Sequence, residues 1–175
     1  TKPYGSSIGV NRMTLNAATL IATLSMVGIR ENIPEETFVL GGSSALVVQG
    51  LRETCEALSV WVDREHFVRL CETHKVTNHP MTDTLVTLKV CLGIGEELVK
   101  VEVRERNLYY GTVHLKDLAF PITVFDDLTL TIHKRTEHTK LKESSASAEE
   151  VRLAMRDIQA LNARLAEKNK VRDVA

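Results

Sequence analysis

The chain has 175 residues, 43% of them hydrophobic and 26% charged, which is enough apolar side chain for one buried core and too much for a disordered segment. A formal net charge of -1 leaves no global field to draw it onto nucleic acid or an anionic membrane, so any basic surface has to be local. No apolar run approaches the ~20 residues of a membrane span and no leader pattern opens the sequence, so the expectation is a cytoplasmic protein with no membrane partner.

Residues 1–12, with Gly5, Ser6, Ser7 and Gly9, have turn-like composition and are expected to be loosely held. A domain is expected over 13–135, opening with a helix at 13–27. On it Leu15, Ala18, Leu20, Ile21, Leu24 and Val27 recur at helical spacing, and Gly28 is placed to stop it. After Pro34, residues 37–40 read as a short strand ending at Gly41-Gly42. Residues 43–51 read as an apolar helix capped by serine, 58–62 as a second strand, and Asp63 as the N-cap of a helix to about Glu72.

Residues 84–92 and 98–106 are strand-like, the second with Val99, Val101 and Val103 on one side and Lys100, Glu102 and Arg104 on the other. Tyr109-Tyr110-Gly111 reads as a turn and 122–124 as a short strand after Pro121. Asp126 and Asp127 open a helix to about Arg135, and 136–146 is polar enough to be a loop. Ser147 with Glu150 forms a capping box for a long helix over 147–170, with Val151, Met155, Ile158, Leu161 and Leu165 as its inward stripe, packed on the same domain. Residues 168–175 are charged and read as frayed. Interleaved helices and short strands predict an α+β, layered fold: a small mixed β-sheet covered by helices, with a long C-terminal helix.

Cys55, Cys71 and Cys91 are odd in number and widely spaced, which does not fit a disulfide framework. Cys71, His74 and His79 lie near one another, but a structural zinc site wants four ligands and no fourth is at a usual spacing, so no metal is expected there. Trp61, between Val60 and Val62, reads as core or half-core packing.

Residues 38–63, FVLGGSSALVVQGLRETCEALSVWVD, carry a strand, a Gly41-Gly42-Ser43 turn, a helix and a second strand. That block resembles the signature of the nucleotidyltransferase superfamily sharing the palm fold of DNA polymerase β. "GLRET" followed by "VWVD" is similar to its small bacterial and phage-borne members. Residues 113–135 and Asp157-Ile158 within "MRDIQAL" extend the resemblance over most of the chain, with only the first block specific.

The motif has a clear physical purpose. Its glycines let backbone amides approach a triphosphate at a helix N-terminus, and Ser43 would add a hydroxyl. Two alternate carboxylates on the following strand share a face and hold two divalent cations between attacking and leaving oxygens. Carried over by position, those carboxylates fall on Ala57 and Ser59, and the third acid falls on Glu102. A neutral hydroxyl is a poor ligand where hard cations select anionic oxygen. Glu56 has the wrong strand parity to replace them. Asp63 has the right parity but lies on the order of 13 Å beyond Ser59.

The resemblance therefore implies a nucleotidyltransferase-like fold and leaves three functions open. The first is a catalytically degenerate binding or regulatory module with no cofactor, a protein partner, and weak nucleotide binding at Gly41, Gly42 and Ser43 or weak RNA binding at its basic stretch. The second is an active, antitoxin-like enzyme using Mg2+ on Glu102 and Asp63 to move a nucleoside monophosphate onto protein, tRNA or a small molecule. The third is a phage or mobile-element protein that seizes a host protein. A basic patch of Arg104, Lys134, Arg135 and Lys140 reads either as charge complementing a helix C-terminus or as a phosphate contact. No aromatic residues are interleaved with it, so base stacking is not implied.

Overall fold

Apolar residues alternating with polar ones lay down one edge of the sheet. In the computed structural model, which describes residues 14–78, 84–92, 98–116 and 121–174 with side chains to 170, this pattern yields strands β3 (Val86–Cys91) and β4 (Leu98–Glu105). Val86, Leu88 and Val90 of the first are buried with Val99, Val101 and Val103 of the second, as a period of two requires. Four further strands complete the sheet: β1 (Val39–Leu40), β2 (Ala57–Val62), β5 (Thr112–Leu115) and β6 (Ile122–Phe125). Their order is β3-β4-β2-β1-β6-β5. The β2/β4 and β1/β6 pairs are parallel and the other three antiparallel, so the sheet is mixed as expected.

Helices α1 (Ala17–Glu31), α2 (Gly42–Val48), α3 (Arg64–Thr73), α4 (Asp127–Glu143) and α5 (Ala148–Val174) surround it. Leu20, Leu24 and Val27 of α1 and Phe67 and Leu70 of α3 join Leu58, Val60 and Val62 of β2 in one buried core. Each such side chain contributes roughly 1.5–3 kcal/mol on burial, and together they outweigh caps worth about 1 kcal/mol each, so this face dictates the register. Across the other face runs α4, with α5 packed on α4.

Three local signals for helix starts hold, whereas the serine expected to cap α2 does not: its N-cap is Gly41, with no side-chain cap hydrogen bond, and Ser43 lies inside the helix. Asp63 accepts from the His66 amide at 2.9 Å and Asp126 from the Thr129 amide at 2.9 Å, each filling an orphan donor of the first turn. The Ser147 hydroxyl accepts from the Glu150 amide at 3.2 Å.

Other boundaries move for identifiable reasons. The first helix starts at Ala17, not near residue 13, because Asn16 and Thr19 close a reciprocal capping box while Leu15 pairs with Cys55 in a β-bridge. It also runs through Gly28 to a left-handed cap at Asn32. Gly28 is there for packing: a Cβ on it would stand 3.0 Å from the Ile33 carbonyl oxygen and 3.4 Å from Phe38. Residues Glu35–Thr37 form a 3-10 turn before β1, and α2 stops at Val48.

The expected loop at 136–146 is mostly helix. Residues 136–143 continue α4 beyond its buried residues, which end at Lys134, and Lys140 and Lys142 favour its last turn. On α5, Met155 is 37% exposed, and the inward stripe is Ala154, Asp157, Ile158 and Leu161. The helix is rotated to bring Asp157 onto cations of neighbouring elements. The N-terminal segment 1–12, Met13 and His79 lie outside the described residues.

Candidate functional site

Because β2 and β4 pair in register, the alternation that buries Leu58, Val60 and Val62 turns Ala57, Ser59 and Trp61 to the other face. There they stand beside Lys100, Glu102 and Arg104 respectively. Between this face and the C-terminal half of α4 is an open cleft of about 580 Å³. Gly42, Ser59, Trp61, Glu102, Arg104 and Tyr110 line one side; Ile132, His133, Lys134, Thr136, Glu137, Lys140, Leu141 and Ser144 line the other.

The cleft does not suit a pair of divalent cations. Glu102 is its only carboxylate on the strand face, directly opposite neutral Ser59 in the β2/β4 pairing, and Lys100 Nζ lies 3.5 Å from the Glu102 carboxylate. Two hard cations need several anionic oxygens, and a competing ammonium reduces what one acid offers. Among the described residues, no three His, Cys, Asp or Glu side chains are grouped to hold a metal ion. Neither displaced acid fills the gap. Glu56 precedes β2 and is exposed. Asp63 is committed to α3, its Oδ1 2.9 Å from the His66 amide and 2.6 Å from His66 Nδ1. Burial alone would raise the Asp63 carboxyl, and these two His66 hydrogen bonds hold it below the ordinary aspartate range.

The diglycine turn has structural causes of its own. Gly42 has φ of +55°, a left-handed conformation that side chains disfavour. Gly41 is extended and buried, and a Cβ on it would lie 2.5 Å from Trp61 Cζ3. Ser44, one residue past the predicted ligand, binds β2 through its hydroxyl, accepting from the Ser59 amide at 2.9 Å and donating to the Ala57 carbonyl at 3.0 Å.

Ser43 is held in a charged cluster. Its hydroxyl accepts from Lys134 Nζ at 2.7 Å and Arg52 Nη1 at 2.9 Å, with Asp157 Oδ2 at 3.4 Å. Asp157 receives both cations, Arg52 at 2.7 Å and Lys134 at 2.9 Å, and Lys134 also reaches Glu137 at 2.8 Å. With Lys134 only 3% exposed, this lysine is an internal tie between α2, α4 and α5 rather than part of a surface patch. Of the other three cations in the expected patch, Arg104 and Lys140 line the cleft and Arg135 is exposed outside its lining.

An aromatic cluster contributes Trp61, Tyr110 and His133 to the cleft lining. The Trp61 and His133 rings stack at 5.2 Å and 4°, Phe125 meets Trp61 edge-on at 5.2 Å and 86°, and Tyr110 meets His133 edge-on at 5.4 Å. The Arg104 guanidinium lies 5.4 Å from the Trp61 ring centroid. Sequence reasoning did not bring these residues together. Trp61 and His133 are 72 residues apart in the numbering, and nothing local marks them as neighbours. Arg52 was visible only inside the family-like "GLRET".

The zinc-like grouping is occupied otherwise. His74 Nε2 lies 2.8 Å from Glu31 Oε1 at the junction of α1 and α3, and Cys71 is buried. No disulfide forms among the described residues, which include all three cysteines.

Comparison with known proteins bears on the scaffold. The structure is similar to the crystal structure of an antigenic nucleotidyltransferase-like protein from Paracoccidioides brasiliensis, with a TM-score of 0.51 and 12% identity over 85% of this chain and 78% of that one. No family model matches the chain, and no curated protein matches it. The chain thus has a nucleotidyltransferase-like fold.

Proposed function

We propose that this protein is a catalytically degenerate nucleotidyltransferase-fold module that works by binding a protein partner rather than by transferring nucleotides. The observation that carries this reading is the row Ala57, Ser59 and Glu102. The positions that alternate on one strand face, where two acids would have to converge on metal, hold a methyl group and a hydroxyl beside a single carboxylate. Phosphoryl transfer depends on neutralising charge on the transferred group, and one strand-face acid next to Lys100, with Glu137 across the cleft tied to Lys134, has no means to organise two cations for it. What the fold keeps is a shaped cleft with mixed aromatic and cationic lining.

The test is incubation of the protein with labelled nucleoside triphosphates, magnesium or manganese, and candidate protein and tRNA acceptors. No transfer above a no-protein blank is expected, and reproducible metal-dependent labelling would end this reading. The gain-of-function counterpart is Ala57→Asp/Ser59→Asp, which adds two carboxylates beside Glu102. This variant is expected to bind Mn2+ at least ~10-fold more tightly than the native protein by calorimetry or paramagnetic NMR broadening.

A further inference from the structure

The sequence has one tryptophan, and it stands third in the row Ala57, Ser59, Trp61, of which Ser59 and Trp61 line the cleft. A phosphate chain can use a diglycine turn only if the space against that backbone is open, since close approach is what glycine provides there. At Gly41 the space is taken, whereas at Gly42, the glycine that lines the cleft, the atoms nearest to a Cβ are Ser59 Cβ and Oγ at 3.7 Å. Trp61 Cζ3 and Cη2 lie 2.5 and 2.9 Å from where a Cβ on Gly41 would stand, and Phe125 Cδ2 lies at 3.1 Å. The ring is clamped as well as close, with His133 stacked parallel to it and Phe125 edge-on. Swinging the indole aside would break both ring contacts and open a void in a packed region. The serine that follows the glycines offers no alternative anchor, because its hydroxyl already accepts from Lys134 and Arg52.

We propose that Trp61 plugs the Gly41 half of the diglycine turn, so that a di- or triphosphate chain is excluded by shape from the Gly41 backbone, independently of the acids missing at Ala57 and Ser59. The proposal rests on the reading of the cleft as a degenerate nucleotide site, and it adds a second, steric barrier to the electrostatic one. Gly41 is on this account the socket of an indole, and the residue that sets which ligands reach its backbone is Trp61.

Four proteins separate the two barriers: native, Ala57→Asp/Ser59→Asp, Trp61→Leu, and the triple variant, each titrated calorimetrically with magnesium ATP and with tripolyphosphate. The triple variant is expected to bind magnesium ATP at least ~10-fold more tightly than the acid-restored double variant. A smaller difference, whether both bind or neither does, overturns the plug. Failure of the degenerate-site reading is a different result, namely nucleotide transfer by the native protein. Should Trp61→Leu not fold, Trp61→Val in the same background and a measurement on the native protein keep the question answerable. The emission of its sole indole is expected to be unmoved by millimolar tripolyphosphate, and a saturable change would show phosphate reaching the ring and overturn the proposal.

Discussion

At Gly41 a single methyl group is enough to test the packing argument. The alanine Cβ would lie 2.5 Å from the Trp61 ring, inside any real carbon contact, while the backbone there is extended and tolerates a side chain. Gly41→Ala is therefore expected to destabilise the protein by about 1–3 kcal/mol through overpacking alone. In a double-mutant cycle with Trp61→Leu most of that loss should disappear, since the smaller side chain gives the methyl room. Denaturant midpoints of the four proteins check this, and additive effects would mean the ring does not set the size limit at Gly41. The residue pair also marks what a sequence reader sees and misses. Two glycines between a strand and a helix announce a turn, but the reason for the first one sits 20 positions later in the numbering, on another strand.

Among the elements, α5 is held to α4 by a buried carboxylate as much as by its apolar stripe. Asp127, at the start of α4, receives Arg164 through two bonds of 2.6 and 2.9 Å and Lys168 at 2.8 Å, while Arg164 also reaches Gln49 of the segment after α2 at 2.6 Å. Burial would raise the Asp127 carboxyl, but the bonds from Arg164 and Lys168 outweigh it and hold the group below the ordinary aspartate value of 3.8. A carboxyl depressed in the folded state adds stability above its unfolded value and loses it as pH falls through the folded one. Asp127→Asn should thus cost about 2 kcal/mol at neutral pH, the range for hydrogen bonds to a charged group. The gap between native and variant should close as pH drops below about 4. Urea melts from pH 3 to 7 follow it, and a gap independent of pH would remove the ion-pair explanation.

Considered whole, the described residues share one core. It includes Leu161 of α5 together with side chains of α1, α2, α3 and α4, and Trp61 packs against it. Thermal or urea unfolding is accordingly expected as one transition, with far-UV circular dichroism and Trp61 emission superimposing; separate midpoints would show α5 and α4 melting as their own unit. The nucleotidyltransferase-like fold was legible from the chain alone. Strand alternation at Val99, Val101 and Val103, the caps at Asp63 and Asp126, and the strand-diglycine-helix block are all patterns within a few residues, and local backbone geometry writes them directly into sequence. The loop expected at 136–146 shows the limit of that reading, because residues 136–143 extend a helix whose buried residues all lie earlier, between Asp127 and Lys134. The sequence by itself also determined that the strand face carries Ala57 and Ser59 instead of acids. Only the tertiary structure decided that Lys134 is interior, that Asp157 joins it to Arg52, and that Trp61 fills the space over Gly41. Those facts depend on which distant side chains meet, and that is set by packing of whole elements, which no short window of sequence contains.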